Sequence, residues 1–230
     1  MATRTPVGLL RRALLWLALL LGLAALLYIY ARQWAPPRGS YPVQGIDVSH
    51  HQGVIDWPLV KADGVDFAYI KASEGADFRD SRFTANWRES KAAGLDRGAY
   101  HFFTLCRLAR DQAENFIALV PRDRAALPHA LDLEFGGNCA ARPARGVVIA
   151  EIATFIQMVE AHSEKPVMLY ITKEFEAEYR VSEAIDRPLW LRNILFPPDY
   201  ASHPWVMWQA SNMRSVDGIG GQVDWNVVRP

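Results

Sequence analysis

In Leu131-Asp132-Leu133-Glu134-Phe135 two carboxylic acids alternate with apolar residues. On an extended strand that spacing puts Asp132 and Glu134 on one face, roughly 7 Å apart, and the leucines on the other. Like charges this close resist joint ionisation, so one carboxyl of the pair tends to keep its proton near neutral pH. Such a pair suits glycosidic cleavage, in which a protonated acid donates to the leaving oxygen while a carboxylate supports positive charge developing on the sugar. Asp47, in Gly45-Ile46-Asp47-Val48, and Asp224, in Gln222-Val223-Asp224-Trp225, also interrupt apolar runs. Placed beside the pair they would push the same way. A single D-x-E also occurs as a structural acid pair bonded to Arg or backbone amides. Acids with His50, His51 and His101 nearby raise metal binding as another chemistry, but no H-x-x-x-H spacing or cysteine pair supplies a compact ligand set, and no metal or other cofactor is expected. No G-x-S-x-G elbow is present for a serine nucleophile.

These residues need elements to hold them. Short apolar runs bounded by turn residues recur at 45–49, 66–73, 97–103, 128–135, 166–172, 188–194, 205–211 and 222–228, which predicts eight strands. Ser81–Ala93, Leu108–Leu119 and Val147–His162 carry apolar residues at three- and four-residue spacing, as amphipathic helices do. Alternating strands and helices imply a parallel sheet, and the last three runs lie too close together for full helices between them. The expectation is an irregular, TIM-like β/α barrel with an incomplete helix set. Such barrels place their chemistry at the C-terminal ends of strands. Asp47, Asp132 and Glu134 fall late in their runs, Glu74 just after one, and Asp224 in the eighth run, which adjoins the first on closure.

Half of the 230 residues are apolar, enough to bury one full domain. Five of the 25 basic residues precede residue 43, leaving 20 against 25 acidic ones, a poor balance for phosphate neutralisation that sets nucleic acid aside. Ala13–Tyr30 has no charged residue and is long enough to cross a hydrocarbon core of about 30 Å. It reads as a signal anchor. Arg4, Arg11 and Arg12 before it keep residues 1–12 cytoplasmic and send the rest outward. A cleaved signal peptide is the rival reading, although YIYARQWAPP offers no good small-x-small site. Residues 31–42 read as a short linker and 43–230 as the catalytic domain.

At this point the chain resembles glycoside hydrolase family 25, the lysozymes. The resemblance runs in order through GIDVSHHQGVIDW (45–57), FAYIKASEG (67–75), AAGLDRGAYHFF (92–103), HALDLEF (129–135), VMLYIT (167–172), LWL (189–191), MWQ (207–209) and VDWN (223–226). It implies a flattened barrel and hydrolysis of the β-1,4 bond between N-acetylmuramic acid and N-acetylglucosamine in peptidoglycan glycan strands. Residue by residue it makes Glu134 the general acid and Asp132 the carboxylate that assists the substrate's N-acetyl group, with Asp47 and Asp224 completing the cluster. A water-attack route stays open. Tyr100, Tyr170 and Trp208 are candidate sugar-facing aromatics, with core packing as the alternative; Trp57, Trp87 and Trp190 read as core and His101 as a satisfied barrel histidine. Glu74 would hold a rim cation or a sugar hydroxyl. Two departures touch the subsites: Ala210 where an aromatic is usual, and RNILFPPDY after LWL in place of a small residue and Tyr. No wall-binding repeat follows, so the anchor is expected to localise the enzyme.

Cys106 and Cys139 lie just beyond the ends of the third and fourth runs, which should be barrel neighbours. Export permits a disulfide there, contributing on the order of 3 kcal/mol, with two unpaired thiols as the alternative. A glycan-binding module without turnover, or a hydrolase of another N-acetylated glycan such as chitin, are the competing functions.

Overall fold

The computed structural model describes residues 6–137 and 139–230, in two compact units that divide after Trp34. The first unit is one helix, α1 (Pro6–Gln33), of which Leu10–Gln33 is long and apolar enough to cross a membrane. Leu14, Trp16, Leu20 and Leu26 are all exposed, so the helix is apolar all round rather than along one stripe. Residues 1–5, Arg4 among them, lie outside the described residues.

In the second unit, strands β1 (Gln44–Val48), β2 (Phe67–Glu74), β4 (Asp96–Phe102), β5 (Ala130–Leu133), β6 (Met168–Ile171), β7 (Leu189–Arg192), β8 (Met207–Arg214) and β9 (Val223–Val228) correspond to the eight apolar runs. They pair in the order β1-β9-β8-β7-β6-β5-β4-β2, and β1 also pairs with β2, closing an eight-stranded barrel. A two-residue strand, β3 (Phe78–Arg79), adds an antiparallel edge to β2 that the sequence pattern does not announce. The barrel is not wholly parallel, as strand and helix alternation implied: β9 runs antiparallel to both β8 and β1. Ser215–Gln222 is shorter than the dozen or so residues a parallel crossover needs, so the chain can only turn back. Asp224 therefore sits at the start of its strand, yet reaches the same rim as Asp47, its direct partner in the register.

The three amphipathic segments form α3 (Phe83–Ala92), α4 (Ala109–Leu119) and α5 (Arg145–Ser163). On α5 the buried residues are Val148, Ile152, Phe155, Ile156 and Val159, one stripe at helical spacing. Three short helices were not foreseen: α2 (Trp57–Ala62), α6 (Lys173–Tyr179) and α7 (Val181–Ala184). The first has a local cause, since the Asp56 side chain accepts from the Leu59 N–H at 3.2 Å and Pro58 presets the first turn.

Phe67, Tyr69, Ala130, Met168, Tyr170, Trp190 and Met207 fill the barrel interior. Gly98 permits this, because a Cβ there would stand 2.4 Å from the Tyr69 ring. Residues 35–42, part of the 31–42 stretch read from composition as linker, are fastened to the barrel. Arg38 pairs with Asp66 at 2.8 Å, the Gln44 side-chain amide donates to the Pro36 and Tyr41 carbonyls at 2.9 Å, and Tyr41 stacks on Trp205. A disulfide joins Cys106 and Cys139, with Cα atoms 5.7 Å apart, tying the loop after β4 to the loop after β5.

Candidate active site

A cleft of about 540 Å³ opens among the ends of β1, β2, β4, β5, β6, β7 and β8 and the start of β9. Asp47, Asp132, Glu134 and Asp224 all line it, with Tyr100 and Tyr170. Strand alternation explains the convergence on β5. Leu131 and Leu133 are fully buried outside the cleft, Asp132 points into it, and Glu134 follows at the strand's end.

Asp47 is the most constrained of the four. Its Oδ2 accepts from Gln209 Nε2 at 3.0 Å and from Asn226 Nδ2 at 2.7 Å. Each amide is itself oriented: Tyr170 donates its hydroxyl hydrogen to Gln209 Oε1, and Trp190 Nε1 donates to Asn226 Oδ1, both at 2.9 Å. With their oxygens so occupied, both amides present N–H to Asp47. Burial nevertheless outweighs these two bonds and the nearby Arg192 charge, and pushes the Asp47 carboxyl up to about 6. Burial also raises the other three acids. Asp132 lies well above the ordinary range, with the Glu134 charge adding to burial and Lys71 opposing. Asp224 is raised by burial and then by Asp47 opposite it, while Arg192 opposes. In Glu134 burial dominates, Arg192 and Lys71 oppose, and Asp47 adds. Asp132 Oδ1 is buried and has no hydrogen-bond partner among the described residues.

Carboxyls raised in the folded state bind protons more tightly there than in the unfolded chain. Their stabilising contribution is full below the ordinary carboxylate pKa and is lost as pH rises through the folded value. For Asp47, from 3.8 to about 6, the loss amounts to about 3 kcal/mol. The melting temperature is therefore expected to fall between about pH 4 and 7, and Asp47→Asn to flatten that slope. Thermal unfolding of both proteins across that window is the measurement; parallel slopes would contradict the assignment.

Not every candidate reaches the cleft. Trp208 does not: next to inward-facing Gln209 it points the other way, is 2% exposed, and packs edge-on against Tyr41. Glu74 does not line the cleft either, but holds Lys71, which does, at 2.7 Å. Trp190, read as core, is buried and also lines the cleft wall. His101 is satisfied by Ser73 Oγ at 2.8 Å and Gln112 Oε1 at 3.2 Å, stacks on Phe155, and is lowered by burial to about 3. His50 binds Asp80 at 2.9 Å, while His51 lines the cleft. Ala210 is fully buried within β8. Sequence reasoning did not single out Lys71, Arg192, Gln209 or Asn226. A signal existed for the two cations, which interrupt the apolar runs FAYIKAS and PLWLRNI in step with inward-facing Tyr69 and Trp190.

A closed strand-and-helix barrel bearing buried carboxylates at one mouth has the architecture of a glycoside hydrolase. The family model for glycosyl hydrolases family 25 matches residues 46–219, and the chain belongs to that family. It is 35% identical to the family 25 glycosyl hydrolase of Bacillus anthracis, whose structure it matches over 86% of this chain and 92% of that one with a TM-score of 0.79. The bacterial lysozyme of Streptomyces coelicolor matches at 34% identity over 82% and 92% of the two chains, with a TM-score of 0.75. Lysozyme M1 of Streptomyces globisporus is 34% identical, with 83% of this chain and 69% of that one covered.

Proposed function

We propose that the protein is a muramidase, cleaving the β-1,4 bond between N-acetylmuramic acid and N-acetylglucosamine. The observation that carries this is the gathering of Asp47, Asp132, Glu134 and Asp224 in one cleft, with Asp47 and Asp224 directly opposite across a strand pair. Opposed like charges cost stability, and burial makes the cost larger, so a cluster of this kind is accounted for by chemistry rather than by folding. Two of the relatives above are lysozymes, which favours peptidoglycan as the substrate. In this reading Glu134 protonates the leaving oxygen. Asp132 holds the acetamide N–H of the muramic acid residue while the acetamide oxygen attacks the anomeric carbon, and Asp47 and Asp224 hold sugar and water in the same field.

The apolar helix serves as a signal anchor through residues 13–30, with residues 1–12 cytoplasmic and residues 43–230 on the outer face, where the wall lies. The test is digestion of purified peptidoglycan by the full chain in detergent micelles, with new reducing ends identified by mass spectrometry and chitin oligomers run in parallel. Muramic acid reducing ends support the proposal. Binding without release would make the protein a tethered glycan-binding module, and chitin cleavage alone would move it to another N-acetylated glycan.

A further inference from the structure

Two cations line the cleft, and they are differently employed. Lys71 is nine-tenths buried and committed to Glu74. Arg192, at the end of β7, is half-buried; among the described residues its guanidinium makes no hydrogen bond and no ion pair, although the charge is felt at Asp47, Glu134 and Asp224. Its backbone is fixed rather than loose. The Tyr200 hydroxyl accepts from the Arg192 N–H at 3.0 Å and donates to the Ile171 carbonyl at 2.7 Å, clamping the end of β7 to β6. A guanidinium presents five N–H donors in a planar fork that matches a carboxylate. This fork stands open in a cleft otherwise crowded with acids, which would repel an anionic glycan.

We propose that Arg192 is a specificity residue that receives a carboxylate of the substrate strand. The assignment rests on the muramidase reading, and it names what that reading leaves open. Muramic acid carries a lactyl carboxylate when its stem peptide is absent; when the peptide is present that group is an amide, and the nearest carboxylates belong to the peptide. Both sources offer the same chemistry to Arg192. A preference for the lactyl carboxylate would place the enzyme after a hydrolysis that removes stem peptides from the strand.

The experiment compares kcat/KM of the full chain, Arg192→Gln and Arg192→Lys on three strand preparations. One bears stem peptides, one is peptide-free with free lactyl carboxylates, and one is peptide-free with those carboxylates converted to methylamides. The parent is expected to favour at least one carboxylate-bearing preparation over the methylamide by on the order of tenfold to a hundredfold. Arg192→Gln should abolish the preference and Arg192→Lys retain part of it, since an ammonium keeps the charge without the fork. Whichever of the first two preparations is favoured identifies the source. Equal cleavage of all three by the parent would overturn the assignment, as would an equal loss on all three in Arg192→Gln. Cleavage of none would take down the muramidase reading, and this assignment with it.

Discussion

Glu134→Gln is expected to lower kcat on peptidoglycan by about 10³-fold while leaving glycan binding nearly unchanged, because the amide keeps the shape and loses the proton that a general acid must give. The environment of Glu134 suits that duty. Burial lifts its carboxyl above the ordinary range, Arg192 and Lys71 pull it back, and Asp47 lifts it again, so it keeps its proton at pH values where an exposed glutamate has lost it. Activity of the parent should accordingly fall as pH rises through that raised value, and the residual activity of the variant should lose this limb. The sharper measurement uses a synthetic substrate whose leaving group is a stable phenolate. Such a group departs without protonation, so the variant should act on it with a loss of less than about tenfold. A variant equally crippled on both substrates would show that Glu134 shapes the site rather than donating a proton, and the search for the acid would pass to Asp224.

How much of this was open to sequence reasoning depended on the range of the interactions involved. The strand runs were legible because a buried strand is written in its own residues: PVMLYIT and LWL need no partner to be recognised. The convergence of Asp47, Asp132 and Glu134 was legible because strand ends in a barrel share one mouth, whereas Asp224, at the start of β9, reaches that mouth because its strand is reversed. The reversed β9 was not read, although the short Ser215–Gln222 connection already excluded a parallel crossover. Trp208 was a candidate sugar-facing aromatic on the family resemblance, with core packing as the alternative, and the alternation that places Gln209 inward sends Trp208 outward into the core. The amide network was out of reach for a different reason. Tyr170, Gln209, Asp47, Asn226 and Trp190 come from five strands, and no local pattern records that Gln209 and Asn226 meet at one carboxylate oxygen. Arg192 fell between these cases. Its departure from the family pattern was visible, and its meaning required the cleft.

Asp132→Asn is expected to reduce kcat by about 10²- to 10³-fold, the scale of losing one preorganised electrostatic partner of a developing charge. Burial raises both carboxyls of the Asp132 and Glu134 pair, and Asp132 is the deeper of the two and feels the Glu134 charge. Its Oδ1 is buried and without a hydrogen-bond partner among the described residues. An acetamide N–H delivered to that oxygen would favour the ionised form of Asp132, and the proton would then be more stable on Glu134, where the leaving oxygen needs it. Binding of the correct sugar would thus set both protonation states together, and an asparagine cannot take part because its charge is fixed at zero. The test is a double-mutant cycle between enzyme and substrate. Strands with de-N-acetylated muramic acid should be cut by the parent about as poorly as normal strands are cut by Asp132→Asn, and the variant should lose little more on the altered strands. Products of the parent should retain the anomeric configuration, as attack by the acetamide oxygen followed by water requires two inversions. Additive losses together with an inverted product would assign Asp132 to the activation of water instead.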